Sequence, residues 1–257
     1  VRAKRTLGAA QVPFEVPRTA ALAPRLASVL EVVYLVFNEG YSASAGDDWM
    51  RPALCDEALR LGRILAGLVA GDSEVHGLVA LMEIQASRMH PRTDDEGRPV
   101  LLLEQDRSRW DALLIRRGLA ALARSEALGD ARGPYALQAA IAACHARAQR
   151  AEATDWVQIV ALYDALAQVA PSPVVELNRA VAVGMAFGPP AGLELVDALA
   201  AEPALAGYRW LPSVRGDLLA KVGRIEEAAT EFERAAAMTS NARERELLLG
   251  RARTCRE

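Results

Sequence analysis

Apolar residues recur every three or four positions along most of the chain, and the runs are long enough to be helices rather than strands. Leu22, Leu26, Leu30, Val33 and Phe37 form one stripe, with Gly40 placed as the C-cap that ends it. Leu54, Ala58, Leu61, Leu65 and Leu68 form a second. Asp47 or Asp48 is its expected N-cap, Pro52 is tolerated in its first turn, and Gly71 is its stop. Asp72 caps a third helix carrying Val75, Val79, Met82, Ala86 and Met89. Residues 91–100 are turn-rich, and Val100 to Leu103 reads as either a short strand or buried coil. Ser108 and Asp111 have capping-box spacing and open a fourth helix that runs to about Leu128. Gly129 and Gly133-Pro134 then mark a break. Few windows alternate as strands do, so the expected fold class is all-α.

From Tyr135 onward the pattern becomes a repeat. Ile159, Tyr163, Leu166 and Pro171 lie at offsets of 0, 4, 7 and 12, as do Ala191, Leu195, Ala198 and Pro203, and then Ala228, Phe232, Ala235 and Ser240. Gly216 and Gly223 precede the third set. Small residues at the first and third points let paired helices approach, and the larger residue between them fills the gap. This resembles the tetratricopeptide repeat, whose period of about 34 residues the spacings here straddle. Three generic helix hairpins would carry the same pattern, and either version gives stacked antiparallel helices. The expected organisation is therefore a linker-bearing start (residues 1–23), a helical module (24–128) and a repeat domain (129–257).

Composition sharpens this picture. Hydrophobic residues make up 52% of the 257 residues and aromatics only 5%, as in a helical protein packed with alanine and leucine. The net charge of -3 gives no overall basic footprint for nucleic acid, although Val1-Arg2-Ala3-Lys4-Arg5 is locally basic. Cys55, Cys144 and Cys255 are scattered and form no CxxC, which fits a reducing cytoplasm. No apolar run is long enough for a membrane span, no signal peptide is visible, and the first residue is not Met. The chain is expected to be a piece of something longer, and cytoplasmic.

Two polar blocks stand out against the apolar helices: Phe37-Asn38-Glu39-Gly40-Tyr41, and Glu104 to Asp111 with Asp106, Arg107, Arg109 and Trp110. The first reads either as a packed helix end or as a docking corner in which two aromatics flank directed hydrogen-bonding groups. In the second, Arg107 or Arg109 is expected to fork onto Glu39 or Asp106. His90, between Arg88 and Arg92, reads as an anion contact or as a helix-end partner. No Walker A, HExxH, GxSxG or GxGxxG is present, and Glu39, Asp47, Asp48 and Glu104 read as caps rather than as an acid–base pair. The expectation is no enzyme, no cofactor and no metal. The alternative to an interaction domain is a sensor with a small polar pocket around Asn38, Glu39, Arg88, Asp106 and Arg107.

Taken in order, Tyr34 to Ser44, Gln85-Ala86-Ser87-Arg88, Gln105 to Asp111, Asp155-Trp156 and Glu176 to Ala182 resemble one known arrangement. It is the C-terminal extension of a group of extracytoplasmic-function (ECF) RNA polymerase sigma factors, a tetratricopeptide-like tail behind sigma regions two and four. Val1 to Leu7 is similar to the last turns of region four; region two, the inter-region linker and the helix-turn-helix are absent from this chain. The resemblance implies that the intact protein directs polymerase to promoters and meets DNA only through those absent regions. It also implies a tail that adjusts this activity by contacting its own sigma regions two and four or their linker, with core polymerase as partner of the whole and no membrane role.

Overall fold

The structure is a computed structural model describing residues 22–129 and 133–257, with side chains from Arg25 onward. The basic start at Val1 to Leu7 and the proline-bearing segment through Pro17 lie outside the described residues. Eleven α-helices, four three-residue 3-10 turns and two two-residue strands make up the regular structure among the described residues, so the fold is all-α. The helices are α1 (Leu22–Tyr41), α2 (Pro52–Leu68), α3 (Ser73–Ala86), α4 (Ala112–Ala127), α5 (Pro134–Arg147), α6 (Trp156–Val169), α7 (Pro173–Phe187), α8 (Pro189–Leu199), α9 (Trp210–Lys221), α10 (Ile225–Met238) and α11 (Ala242–Arg256).

Several starts and stops differ from the sequence expectation. The first helix begins at Leu22, before the expected module start at 24, and Pro24 lies inside its first turn, at a position whose N–H would have no acceptor within the helix. Gly40 is not a C-cap: it lies within α1, where a Cβ would fall 2.7 Å from the Cys55 backbone nitrogen. Its role is close approach, since α1 and α2 nearly touch there. Neither Asp47 nor Asp48 caps α2; Arg51 takes that place without a side-chain bond, and Pro52 begins the helix. Asp72 does cap α3, accepting from the Val75 N–H at 3.0 Å. Asp111 rather than Ser108 caps α4, accepting from Leu113 and Leu114 at 2.8 and 3.0 Å. Ser108 belongs to a separate 3-10 turn headed by Asp106. Val100 to Leu103 forms no strand, and Leu101 to Leu103 face α7, α9 and α11 across a cleft of about 450 Å³.

α3 is the central strut. Eleven of its fourteen residues are buried, so it has no solvent face and must be surrounded. On one side Leu78 and Met82 pack with Leu30, Val33 and Phe37 of α1 and with Cys55 and Ala58 of α2. On the other, Ala80, Leu81 and Ile84 pack with Leu122 of α4 and with Ala139, Ala142 and Ala143 of α5. Packing is thus continuous past residue 129, where a boundary was expected. The buried Glu83 is held by Arg63 at 2.8 Å and Arg117 at 3.1 Å, which ties α2, α3 and α4 through one carboxylate.

Helices α5–α6, α7–α8 and α9–α10 pair as hairpins, with α11 packed on α10. Ile159, Tyr163 and Leu166 lie on α6, and Ala228, Phe232 and Ala235 on α10, with only Tyr163 left partly exposed. A Cβ on Gly216 would sit 2.9 Å from the Phe232 ring, so α9 approaches α10 closely only because that position is glycine. Gly223 turns the chain between them at φ 81°. The middle hairpin departs from the expected register. Ala198 is exposed and Ala191 half-buried; the buried line on α8 runs one residue later, through Gly192 and Val196 to half-buried Leu199, with Leu195 only partly covered. Gly192 decides this, because its Cα face meets Gly184 and the Ala180 carbonyl of α7. Pro171 and Pro203 both follow the ends of their helices, at Val169 and Leu199.

The two ends of the array meet. The strands β1 (Ala45–Gly46) and β2 (Ser240–Asn241) pair in parallel. Asn241 is fully buried and donates its amide to the carbonyls of Ala43 and Asp48 at 3.3 and 2.8 Å. The same side chain accepts from the Glu244 N–H and so caps α11.

Candidate functional site

The two polar blocks converge at the C-terminal end of α3. The central helix ends at Ala86, Ser87 closes it by donating its hydroxyl to the Ile84 carbonyl at 2.6 Å, and Arg88 emerges beyond. A helix C-terminus carries partial negative charge and favours a cation there. Arg88 is only 7% exposed. Its guanidinium lies 5.9 Å from the Tyr41 ring and 5.7 Å from the Trp110 ring, so one aromatic comes from each block. Arg92 lies over the same tyrosine at 3.7 Å and donates to the Tyr41 carbonyl at 3.0 Å. Burial pushes the Arg92 pKa below its ordinary value.

The remaining sequence-derived residues take distinct places. Phe37 has no exposed surface and stacks on Tyr41 at 5.8 Å, so of its two readings the packed helix end is the one its burial supports. Asn38 follows Tyr34 by one helical turn, and its side chain opposes the rise in Tyr34 pKa that burial causes. Glu39 pairs with Arg51 at 3.1 Å and accepts from the Ser44 N–H, which pins the following loop. The expected forks onto Glu39 or Asp106 do not form. Arg107 instead donates to the carbonyls of His145 and Ala148 at 2.9 and 2.8 Å and to the Thr154 hydroxyl at 3.0 Å. It thus covers the end of α5, whose last carbonyls have no partner within the helix. Arg109 meets the exposed His90 ring at 3.1 Å. Asp106 is exposed, and its hydrogen bonds from Ser108 hold its carboxyl below the usual range. The proposed polar pocket therefore does not assemble as one: Glu39 and Asp106 serve their own loops, and Arg88 faces elsewhere.

Arg88 lines a cleft of about 240 Å³ with side chains from five helices: Tyr34, Gln85, Gln138, His145, Tyr163 and Asn178 among them. Tyr34 donates to Gln138 at 3.0 Å. His145, 7% exposed, stands edge-on to Trp156. Burial, with the charges of Arg88 and Arg107 beside it, pushes its pKa down to about 3, so the ring is neutral near pH 7. Arg88 Nε, Arg107 Nε, Trp110 Nε1 and His145 Nδ1 are all buried without a hydrogen-bond partner. Each such atom costs about 1–3 kcal/mol, against about 0.5–2 kcal/mol regained per cation–π contact. The sequence held a partial signal for this cleft. Gln138 and His145 are seven apart on α5 and so share a face, but nothing in the order of residues says that this face turns towards Arg88.

Among the described residues, no group of three or more His, Cys, Asp or Glu could hold a metal ion. No described helix is long and apolar enough to cross a membrane.

A family described as "Family of unknown function (DUF6596)" matches residues 25–126, the span from α1 to α4 that holds both polar blocks. A protein of Rhizobium meliloti (strain 1021), described as uncharacterized, is 48% identical over 244 residues, covering 95% of this chain and 57% of that protein. The chain thus spans little more than half the length of the curated relative it matches.

Proposed function

We propose that the chain is the regulatory C-terminal part of an ECF sigma factor and acts by gripping its own sigma regions two and four or their linker, not by catalysis. Core RNA polymerase is the partner of the intact factor, promoter DNA is met through regions outside this chain, and the setting is the cytoplasm. The observation that carries the reading is an open apolar groove between α1 and α2. Val29, Val32, Leu61, Ile64 and Leu68 line it at 36–78% exposure, in a cleft of about 480 Å³ whose lining includes no charged residue. An apolar face of this kind left in water marks a contact surface, since covering it releases ordered water at no cost in buried charge. It lies on the first helices of the described chain, where a preceding domain has the shortest reach. The resemblance in Tyr34 to Ser44 and Gln105 to Asp111 supplies the identity of the partner.

The docking expectation moves accordingly, from the buried Phe37 to the solvent side of the same helix. The test is a pull-down in which sigma regions two and four of such a factor are supplied in trans. Val32→Asp and Leu68→Asp lie at exposed positions and leave the core intact. The reading expects capture by the wild-type chain and loss of at least ten-fold in affinity for either variant. Equal capture by all three chains, or none by the wild type, would overturn it.

A further inference from the structure

We propose that the cleft walled by α1, α3, α5, α6 and α7 binds a small organic carboxylate, held by the guanidinium of Arg88. Among the described residues the Arg88 side chain forms no hydrogen bond and no ion pair; its recorded partners are the rings of Tyr41 and Trp110. Ring contacts at 5.7–5.9 Å give an N–H donor no acceptor oxygen, so the guanidinium donors stay unused. Elsewhere the fold treats buried charge differently: Glu83 and Glu244 each have arginine partners. A lone buried cation is costly unless something of opposite charge completes it.

The surroundings select the ligand. Among the described residues lining the cleft Arg88 alone is formally charged, because His145 stays neutral. Arg107 spends its terminal donors on carbonyls and a hydroxyl and adds positive potential without filling the space. One available positive charge matches a monoanion better than a phosphate dianion. A planar fork of N–H donors matches a carboxylate in two parallel bonds. The volume of about 240 Å³ suits a few carbon atoms and excludes a nucleotide. Among the described residues the side chains of Gln85, Asn178 and Tyr163, which line the cleft, make no hydrogen bond that would compete with a ligand's remaining polar groups. Tyr34 and Gln138 already bond each other and form a fixed wall. This site does not depend on the docking groove, which lies on the other side of α1.

The experiment uses the whole chain labelled with ¹⁵N, titrated with sodium propionate at constant ionic strength, with chloride and inorganic phosphate as controls. The resonances followed are the Arg88 Nε–H and the Trp110 indole N–H, both sealed from water and without partners. A saturable shift with propionate, at least five-fold weaker with phosphate and absent with chloride, is the expected result. Arg88→Gln should reduce affinity at least ten-fold. Asn178→Ala, at an exposed position that cannot disturb folding, should weaken binding two- to five-fold. Non-saturable shifts, equal shifts with chloride, or unchanged binding in the Asn178 variant and a folded Arg88 variant would each overturn the proposal.

Discussion

At the scale of single residues, the polar blocks are structural first. Gly40 shows why Phe37 to Tyr41 reads so distinctively. Any side chain at that point would strike Cys55, whose thiol donates to the Phe37 carbonyl at 3.4 Å and is pushed up by burial to a pKa of about 12. Gly40→Ala should therefore cost about 1–3 kcal/mol through overpacking, measured by urea denaturation. His145 gives a second residue-scale prediction. Its folded pKa of about 3 lies below the ordinary 6.5, so between these values the unfolded chain holds a proton that the folded chain does not. Stability must then fall on acidification across that window, by at most about 1.4 kcal/mol per pH unit. His145→Gln should flatten this part of the pH–stability curve; an unchanged slope in the variant would assign the acid sensitivity to other groups. Arg88 could be named from sequence as a site residue, but its environment could not. Its two aromatic neighbours lie 47 and 22 positions away, and contacts of that span leave no periodic trace.

At the scale of elements, the helices and their order were legible because alanine- and leucine-rich stripes with a period near 3.6 leave few alternatives. The caps were less so. Asp72 was recognisable because an acid stands between the Gly71 stop and the stripe that begins at Val75. The start of α5 was not, because its partner comes from another helix: Glu74, in the first turn of α3, accepts from the N–H groups of Tyr135 and Ala136 at 2.8 and 3.1 Å. One carboxylate thus satisfies donors that Gly133 and Pro134 cannot. Glu74→Ala should destabilise the chain by about 1–2 kcal/mol, read from its thermal midpoint, with Glu74→Gln recovering part of the loss. The shifted register of α8 has a similar cause. Alanines at 191 and 198 gave no preference, and the contact of Gly192 with α7 chose the face.

At the scale of the whole molecule, the decisive feature is closure. A tetratricopeptide-like stack is ordinarily open at both ends, and its terminal hairpins are its weakest parts. Here the loop after α1 pairs with the segment before α11, nearly 200 residues later, and Asn241 donates to Ala43 and Asp48 within that junction. No sequence rule anticipates a two-residue strand pair. Asn241→Ala removes three hydrogen bonds at a fully buried position and should cost about 2–4 kcal/mol, with hydrogen exchange rising both near residues 42–50 and in α11. Exchange rising in α11 alone would show that the junction does not couple the two ends.

A closed array with a sealed core leaves the α1–α2 groove as its prominent apolar surface, and the regulatory reading rests on what covers it. The most direct measurement is hydrogen–deuterium exchange of this chain, alone and mixed with sigma regions two and four of an ECF factor of the resembled group. The account predicts new protection concentrated between Ser28 and Tyr41 and between Leu61 and Leu68, abolished by Val32→Asp. Exchange that is unaltered by the sigma regions, or protected only on the α6–α11 side, would contradict it.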